Sequence, residues 1–112
     1  MAANTENIKS QMRKGFLEYC ILMILDGKAA YASDIMQRLK EAKLIVVEGT
    51  LYPLLTRLKN AGMLDYEWQE STQGPPRKYY KLTTEGMVTL AELADAWKEM
   101  YEAIDLITTK KQ

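Results

Sequence analysis

Residues 64–82 read LDYEWQESTQGPPRKYYKL, a segment in which polar and apolar side chains alternate on both sides of a Gly-Pro-Pro tip. Alternation with a period of two is typical of β-strands, and two such runs around a turn-forming tip predict a β-hairpin. Residues 69–76 make a connecting loop longer than a two-residue turn. We therefore expect Arg77 and Lys78 to project beyond the sheet and to carry positive charge at the end of the hairpin.

One face of this hairpin is apolar. Since successive residues of a strand point to opposite sides, this face is made by Leu64, Tyr66, Trp68, Tyr80 and Leu82. We expect it to cover the helices of the domain.

A helix is predicted directly before the hairpin, over residues 48–61. Leucines recur there at the i, i+3, i+4 and i+7 positions that make one apolar stripe, namely Leu51, Leu54, Leu55 and Leu58. Gly62 ends the helix. Pro53 has no amide donor, so it belongs near the helix start, where backbone donors lack intrahelical partners.

Two further helices precede this one, and another follows the hairpin. Apolar residues at helical spacing predict helices over residues 9–25 and 31–42. In the first of these helices, the apolar residues at helical spacing are Met12, Phe16, Tyr19, Cys20, Met23 and Ile24. The β-branched residues 45–47 favour a short strand, and Thr83 is suited to cap a final helix over residues 84–108. The order of elements predicts a mainly α (α+β) fold, a winged helix-turn-helix with a two-stranded wing.

The final helix carries an apolar stripe wider than a small winged domain needs. Its apolar residues step by three and four through Met87, Leu90, Ala94, Trp97, Tyr101 and Ile104, with Leu93, Met100 and Ile107 beside them. A lone subunit would expose this face to water, so we expect a homodimer joined through a long C-terminal dimerisation helix. The alternative is that the whole stripe packs on its own domain. We divide the chain into a DNA-binding domain at residues 1–83 and a dimerisation helix at residues 84–112, within one compact unit.

The composition excludes several classes of function. The chain has 112 residues, no histidine and a single cysteine, so the usual residues of zinc sites and of acid–base catalysis are missing. We expect neither an enzyme nor a cofactor. Cys20 lies in the run YCILMIL, which is far shorter than the about 20 residues that cross a bilayer, and we interpret it as a buried structural thiol. The N-terminal residues show no secretory signal, so we expect a cytoplasmic protein without membrane association.

The formal net charge is zero, but the charges are unevenly distributed. Basic residues exceed acidic ones in residues 8–20 and 71–82, whereas residues 84–107 are strongly acidic. A polyanion such as double-stranded DNA would be steered to the first helix and the hairpin and kept away from the last helix. The alternative is a protein-interaction module whose basic tip binds an acidic partner, without specific DNA binding.

The winged helix-turn-helix pattern predicts three groups of DNA contacts, with the third helix in the major groove and the hairpin at the neighbouring backbone or minor groove. They are Lys9, Arg13 and Lys14 in the first helix, Thr50, Tyr52, Thr56 and Arg57 in the third, and Gly74, Arg77 and Lys78 at the hairpin. Arg57 is able to read guanine with two hydrogen bonds. The alternatives for Arg57 are phosphate contact or pairing with an acid, and Tyr52 could pack on the core.

Three segments carry a family resemblance: KGFLEYCILMIL at residues 14–25, EGTLYPLLTRLKNAGML at 48–64 and PPRKYYKLTTEG at 75–86. They resemble the PadR family of bacterial transcriptional regulators, and specifically its small members with one C-terminal helix. The resemblance implies a homodimer that binds inverted-repeat operators, usually as a repressor released by a small molecule, and it implies DNA contact for Tyr52. The chain departs from the family pattern at Tyr31-Ala32, where the family often has Tyr-Gly.

Trp97 is the residue on which an effector hypothesis rests. The resemblance implies that this tryptophan lines a cavity between subunits, where it and its counterpart stack a planar aromatic compound. Asp95, Glu99 and Glu102 nearby would favour cationic guests. The residues of this effector and dimer region are Leu90, Leu93, Ala94, Trp97, Met100, Tyr101 and Ile104. The alternative for Trp97, which we favour, is plain packing.

Overall fold

The structure, a computed structural model, describes residues 2–110. In chain order its elements are α1 (Ala2–Ile24), β1 (Ala30–Tyr31), α2 (Ala32–Glu41), α3 (Glu48–Asn60), β2 (Leu64–Gln69), β3 (Arg77–Leu82) and α4 (Thr84–Lys110). The helices α2 and α3 form the helix-turn-helix, and the strands β2 and β3 form the wing. This arrangement confirms the predicted mainly α fold with a winged helix-turn-helix.

The predicted apolar face of the hairpin is confirmed by the strand register. Leu64 lies opposite Leu82, and Tyr66 lies opposite Tyr80, in the antiparallel β2–β3 pair. Leu64, Leu82 and Tyr80 are buried, whereas Trp68 at the far end of β2 is 61% exposed. The hairpin therefore covers the helices with its base, while its end reaches past the core.

The short strand expected at residues 45–47 does not form. The third strand of the sheet is β1, in which Ala30 and Tyr31 pair with Tyr80 and Tyr79 of β3. The segment before α2 thus occupies the second edge of β3, and residues 45–47 run as a connection into α3. The expectation was wrong because β-branched residues favour extended backbone but do not supply a partner strand.

The core lies between the helices and the inner face of the wing. The four leucines of the α3 stripe are buried, as expected. On α1 the expected face was partly wrong, since Met12 is 70% exposed and Met23 is 43% exposed. Because α1 contacts α2 as well as α4, its core residues lie on two sides of the helix, and they are Leu17, Cys20, Ile21 and Leu22.

Cys20 is buried in this core, in agreement with the structural interpretation of the thiol. Burial raises the pKa of the Cys20 thiol above its ordinary value, so the group stays protonated and unreactive at neutral pH. Within residues 2–110, none of the helices combines the length and the apolar character that a bilayer crossing requires.

Pro53 lies in the second turn of α3 rather than at its start, because the helix begins at Glu48. The proline nitrogen cannot donate a hydrogen bond to the carbonyl oxygen of Gly49, four residues earlier. Gly49 and Pro53 are both exposed, so water is able to hydrate this carbonyl oxygen. The expected position was wrong because hydration of this carbonyl oxygen offsets part of the cost of the missing hydrogen bond.

Thr83 caps α4, as expected. Its Oγ1 accepts a hydrogen bond from the Gly86 N–H at 3.0 Å. The same hydroxyl donates to the carbonyl oxygen of Gly62 at 2.6 Å. Thr83 thus joins the first turn of α4 to the turn that follows α3.

Substitution Thr83→Val keeps the side-chain shape and removes the hydroxyl. It is expected to lower the free energy of unfolding by about 1–2 kcal/mol, because the helix loses its cap and a part-buried carbonyl loses its donor. Thermal unfolding followed by circular dichroism measures the effect. Thr84→Val is the control, since Thr84 is exposed on the first turn of the same helix. Equal melting temperatures for the two variants would contradict a role for the hydroxyl.

Candidate nucleic-acid interface

The exposed side of α3 lies opposite its buried leucines. Thr50, Tyr52, Thr56 and Arg57 are all exposed, and the exposed fraction of Tyr52 is 45%. Because the leucine stripe fixes the rotation of the helix, these side chains stay outside the core. The structure thus brings the predicted α3 residues onto one solvent-facing surface, and it does not bury Tyr52 in the core.

A cleft between α1 and α3 brings two of the predicted groups together. Arg13 and Lys14 line it from α1, and Thr50 lines it from α3. Lys9 lies one turn before Arg13 on the same side of α1, and its Nζ is 3.8 Å from a carboxylate oxygen of Glu6. An exposed pair of this kind contributes little in water, so the α1 edge of the α3 surface remains positively charged.

A second cleft, of about 300 Å³, separates α3 from the wing. Tyr52 lines it from α3, and Arg77 and Lys78 line it from β3, with the buried Tyr80 also in its wall. Burial raises the pKa of the Tyr80 hydroxyl, and the neighbouring Tyr52 and Tyr66 raise it further. The phenol therefore stays neutral at physiological pH, and the charge in this cleft comes from the two basic residues.

Arg77 is held against the start of α2. Its guanidinium carbon lies 3.8 Å from the centre of the Tyr31 ring, and its Nη2 donates a hydrogen bond to Ser33 Oγ at 2.7 Å. Tyr31 packs in turn on Tyr79 of β3, with the ring centres 4.8 Å apart. The position of this charge is therefore set by α2 as well as by the wing.

Lys78 is held by aromatic rings of the wing. Its Nζ lies 4.6 Å from the centre of the Tyr66 ring and 5.5 Å from the centre of the Trp68 ring. An ammonium group over ring faces is attracted by the ring quadrupole. The contact orders a flexible side chain close to the cleft that faces α3.

Arg77 and Lys78 do not project beyond the sheet, contrary to expectation. They are the first two residues of β3 and are paired with the last two residues of β2. The loop is therefore confined to residues 70–76, and Gly74 is exposed within it. The expectation was wrong because strand pairing continues to the edge of the loop, and the ring contacts hold both cations beside the sheet.

Arg57 is paired with Glu18 of α1, one of the alternatives left open by the sequence. Its Nε donates to Glu18 Oε2 at 2.8 Å, and its Nη2 donates to Glu18 Oε1 at 2.5 Å. The side chain of Glu18 is only 14% exposed, whereas that of Arg57 is 56% exposed. The pair uses two of the five guanidinium N–H donors, so any base contact by Arg57 depends on the remaining donors or on opening the pair.

Sequence reasoning did not identify Glu18 as part of this site. One signal was present, because Glu18 is the single acidic residue among the basic residues of positions 8–20. The partnership of Arg77 with Tyr31 and Ser33 was missed as well. Ser33 and Arg77 are 44 positions apart in the sequence, so no local pattern predicts their contact.

Trp97 packs on α1 of the same chain. Its indole stacks on the Tyr19 ring, with centres 5.8 Å apart and planes 19° apart. Phe16 meets the indole edge-on at 5.6 Å, and Tyr101 lies at 6.2 Å. These contacts leave Trp97 half-buried within a single chain.

The apolar stripe of α4 is only partly covered, and its first residue, Met87, is 52% exposed. Leu90 and Leu93 pack against the core, whereas Ala94 is exposed. Farther along, Met100 is 46% exposed and Ile104 is 58% exposed. The alternative in which the whole stripe packs on its own domain is therefore wrong, because α4 extends past the helices that could cover it.

Comparison with known proteins identifies a matching family and relatives of known structure. Residues 21–92 match the transcriptional regulator PadR-like family. The chain is 30% identical over 102 residues to an uncharacterised protein of Lysinibacillus sphaericus, covering 88% of this chain and 94% of that protein. A PadR-like transcription factor structure from Bacteroides fragilis is 68% identical, with a TM-score of 0.81 over 90% of this chain and 98% of that one. A PadR-like transcriptional regulator from Bacillus cereus strain ATCC 14579 is 33% identical, with a TM-score of 0.74 over 87% and 95% of the two chains.

The family match begins in the buried half of α1 and spans the helix-turn-helix, the wing and the first turns of α4. These elements form the α3 surface and its cleft with the wing, whereas Arg13 and Lys14 of the α1 cleft precede the matched residues. The relatives of known structure share this fold over most of their length, and they are regulators of transcription rather than enzymes. The chain therefore belongs to the PadR-like family and is a DNA-binding transcriptional regulator.

Proposed function

We propose that this regulator is a cytoplasmic homodimeric repressor that binds an inverted-repeat operator through α3 and the wing. The observation that carries the proposal is the position of α3, whose exposed side is flanked by a basic cleft on each edge. Arg13 and Lys14 line one cleft, and Arg77 and Lys78 line the other. A helix that enters the major groove needs cations on both sides, because the phosphate backbones rise on both sides of the groove.

Within this interface, the α3 residues are proposed to meet base edges and the flanking residues to meet phosphates. Thr50, Tyr52 and Thr56 are neutral groups able to exchange hydrogen bonds with bases in the groove. Lys9 extends the phosphate contacts along α1, and Gly74 allows the exposed loop of the wing to approach the DNA backbone closely. The acidic α4 is kept away from the duplex.

The exposed second half of α4 supports the homodimer. An apolar stripe left in water is unfavourable in proportion to its area, and a second copy of the same helix would cover it. A two-fold axis between two copies of α4 predicts an operator with the same symmetry, with half-sites separated by about one or two helical turns.

We also propose that planar aromatic compounds release the repressor by binding near Trp97. The indole already stacks on Tyr19, so a cleft between two subunits would have an aromatic wall on each side. Asp95, Glu99 and Glu102 on the same helix would favour cationic compounds. Such a ligand changes DNA affinity only if it prefers one spacing of the two α3 helices over another.

The function is tested by titrating the protein, in fluorescence anisotropy, against the promoter fragment beside its own gene. Specific binding is expected to weaken by roughly 10³-fold or more between 50 and 200 mM salt, as about six to ten phosphate contacts in the dimer would require. Lys14→Ala is expected to reduce the slope of log affinity against log salt by about 2, one phosphate in each half-site. Lys98→Ala, on the acidic helix, is the matched control and should leave the slope unchanged.

One result would overturn the proposal, and a second would narrow the interface. Failure to bind any duplex at low salt would favour the interaction module with an acidic partner. Specific binding with equal slopes for Lys14→Ala and Lys98→Ala would retain a DNA-binding protein but remove α1 from its interface.

A further inference from the structure

Ile45 is an exposed aliphatic side chain in the connection between α2 and α3. It is 86% exposed, and Val47 is 62% exposed. Neither side chain contributes to the core, so their exposure is unfavourable in the free protein in proportion to their apolar area. Both immediately precede the helix that we propose to enter the major groove.

The turn after α2 fixes the direction of Ile45. Lys43 has a φ of 69°, and Leu44 N–H donates to the Leu39 carbonyl at 2.8 Å, as in a Schellman motif. Leu44 and Val46 pack against the core, and alternate residues of extended backbone point to opposite sides. Because Leu44 and Val46 point into the core, the side chain of Ile45 between them points to solvent.

Ile45 faces the same side of the molecule as the DNA-binding surface of α3. It lines a cleft together with Glu48 and Tyr52, and Tyr52 also lines the cleft that contains Arg77 and Lys78. Ile45 thus lies at the edge of the proposed interface, beside Tyr52, which also faces the wing.

We infer that Ile45 reads the methyl group of a thymine in each operator half-site. An aliphatic side chain has no hydrogen-bonding group with which to recognise a base. The C5-methyl group of thymine is the apolar feature that the major groove offers, and other bases lack it. Contact between the two removes both from water, so Ile45 selects thymine at one position. This inference rests on the proposed DNA-binding interface, which it extends to a sequence preference.

The test uses a duplex selected by the full-length protein from a random pool. Each thymine of that duplex is replaced in turn by uracil, which differs by the missing methyl group. One position in each half-site is expected to weaken binding about fourfold, the effect of removing one methyl group from an apolar contact. Replacement in both half-sites is expected to weaken binding about fifteenfold.

The Ile45→Ala protein is expected to bind the thymine and uracil duplexes equally at that position, within about 1.5-fold. Because Ile45 is exposed, this variant should keep the melting temperature of the wild type. Val88→Ala is the control, since Val88 is an exposed aliphatic residue of α4, and it should retain the fourfold preference for thymine. Binding is measured by anisotropy at constant salt.

The result separates this inference from the proposed function. If the wild type binds the selected duplex but every uracil replacement is neutral, or if Ile45→Ala keeps the preference, the inference is wrong and the DNA-binding function stands. If no duplex can be selected, both are wrong. A thymine preference lost only in Ile45→Ala supports the inference.

Discussion

Ile104→Glu is expected to convert the protein from a dimer to a monomer and to lower its affinity for an operator fragment at least about hundredfold. Ile104 is 58% exposed on the uncovered half of α4, where we propose that the second subunit packs. A carboxylate placed in that contact would lose its hydration without gaining a partner, which costs several kcal/mol per ion. A monomer binds half an operator, so it loses the gain that comes from two linked contacts.

Sedimentation measures the change in mass, and anisotropy measures the change in affinity. Val88→Glu is the matched control, because Val88 is 56% exposed and lies about 160° around the helix from Ile104. This control should remain a dimer with nearly the operator affinity of the wild type. A wild type that sediments as a monomer, or an Ile104→Glu protein that still sediments as a dimer, would show that α4 does not join the subunits in this way.

The parts of the fold that could be predicted from the sequence are those governed by local periodicity. The leucines of α3 repeat with the period of a helix, and the hairpin alternates with the period of a strand, so both buried faces follow from the pattern, except at Trp68, which is exposed. Pairing of Leu64 with Leu82 follows because a shift by one residue would turn every apolar side chain of the wing to solvent.

Contacts between distant segments could not be predicted in the same way. Glu18 and Arg57 are 39 positions apart, and their pairing depends on how α1 packs beside α3. The two-residue strand β1 is too short to show any alternation, whereas the β-branched residues 45–47 favour a strand that does not form. The length of α1 was also underestimated, because the expected helix began at residue 9 and the observed helix begins at Ala2.

The functional class could be predicted because the helix and hairpin pattern, the basic segments and the three family-like segments all indicate a DNA-binding regulator. A sequence without histidine and with one buried cysteine offers few groups that change protonation near neutral pH. Membership of a family of transcriptional regulators agrees with that expectation. Which bases are read could not be predicted, because that depends on the rotation of α3, which is set by tertiary packing.

Gly86→Ala is expected to destabilise the protein by about 2–3 kcal/mol, which lowers the melting temperature by roughly 10 °C or more. A Cβ on Gly86 would lie 2.1 Å from the carbonyl oxygen of Met63 and 3.4 Å from Leu82 Cδ2. The Met63 oxygen belongs to the backbone and accepts a hydrogen bond from Thr83 N–H at 3.1 Å. It cannot rotate away as a side chain would, so the first turn of α4 must move off the wing.

The sign of this effect opposes helix propensity, since alanine is normally favoured over glycine within a helix by about 1 kcal/mol. Gly15→Ala in α1 is the matched control. Apart from its chain neighbours and the backbone of its own helix, no atom of the described residues lies within 4 Å of the added Cβ. That variant should be stabilised by about 0.5–1 kcal/mol. Thermal unfolding of the two variants side by side therefore separates propensity from packing. A rise in melting temperature for both variants would contradict the close contact between Gly86 and the Met63 carbonyl oxygen. The position of α4 relative to α3 would then have to differ.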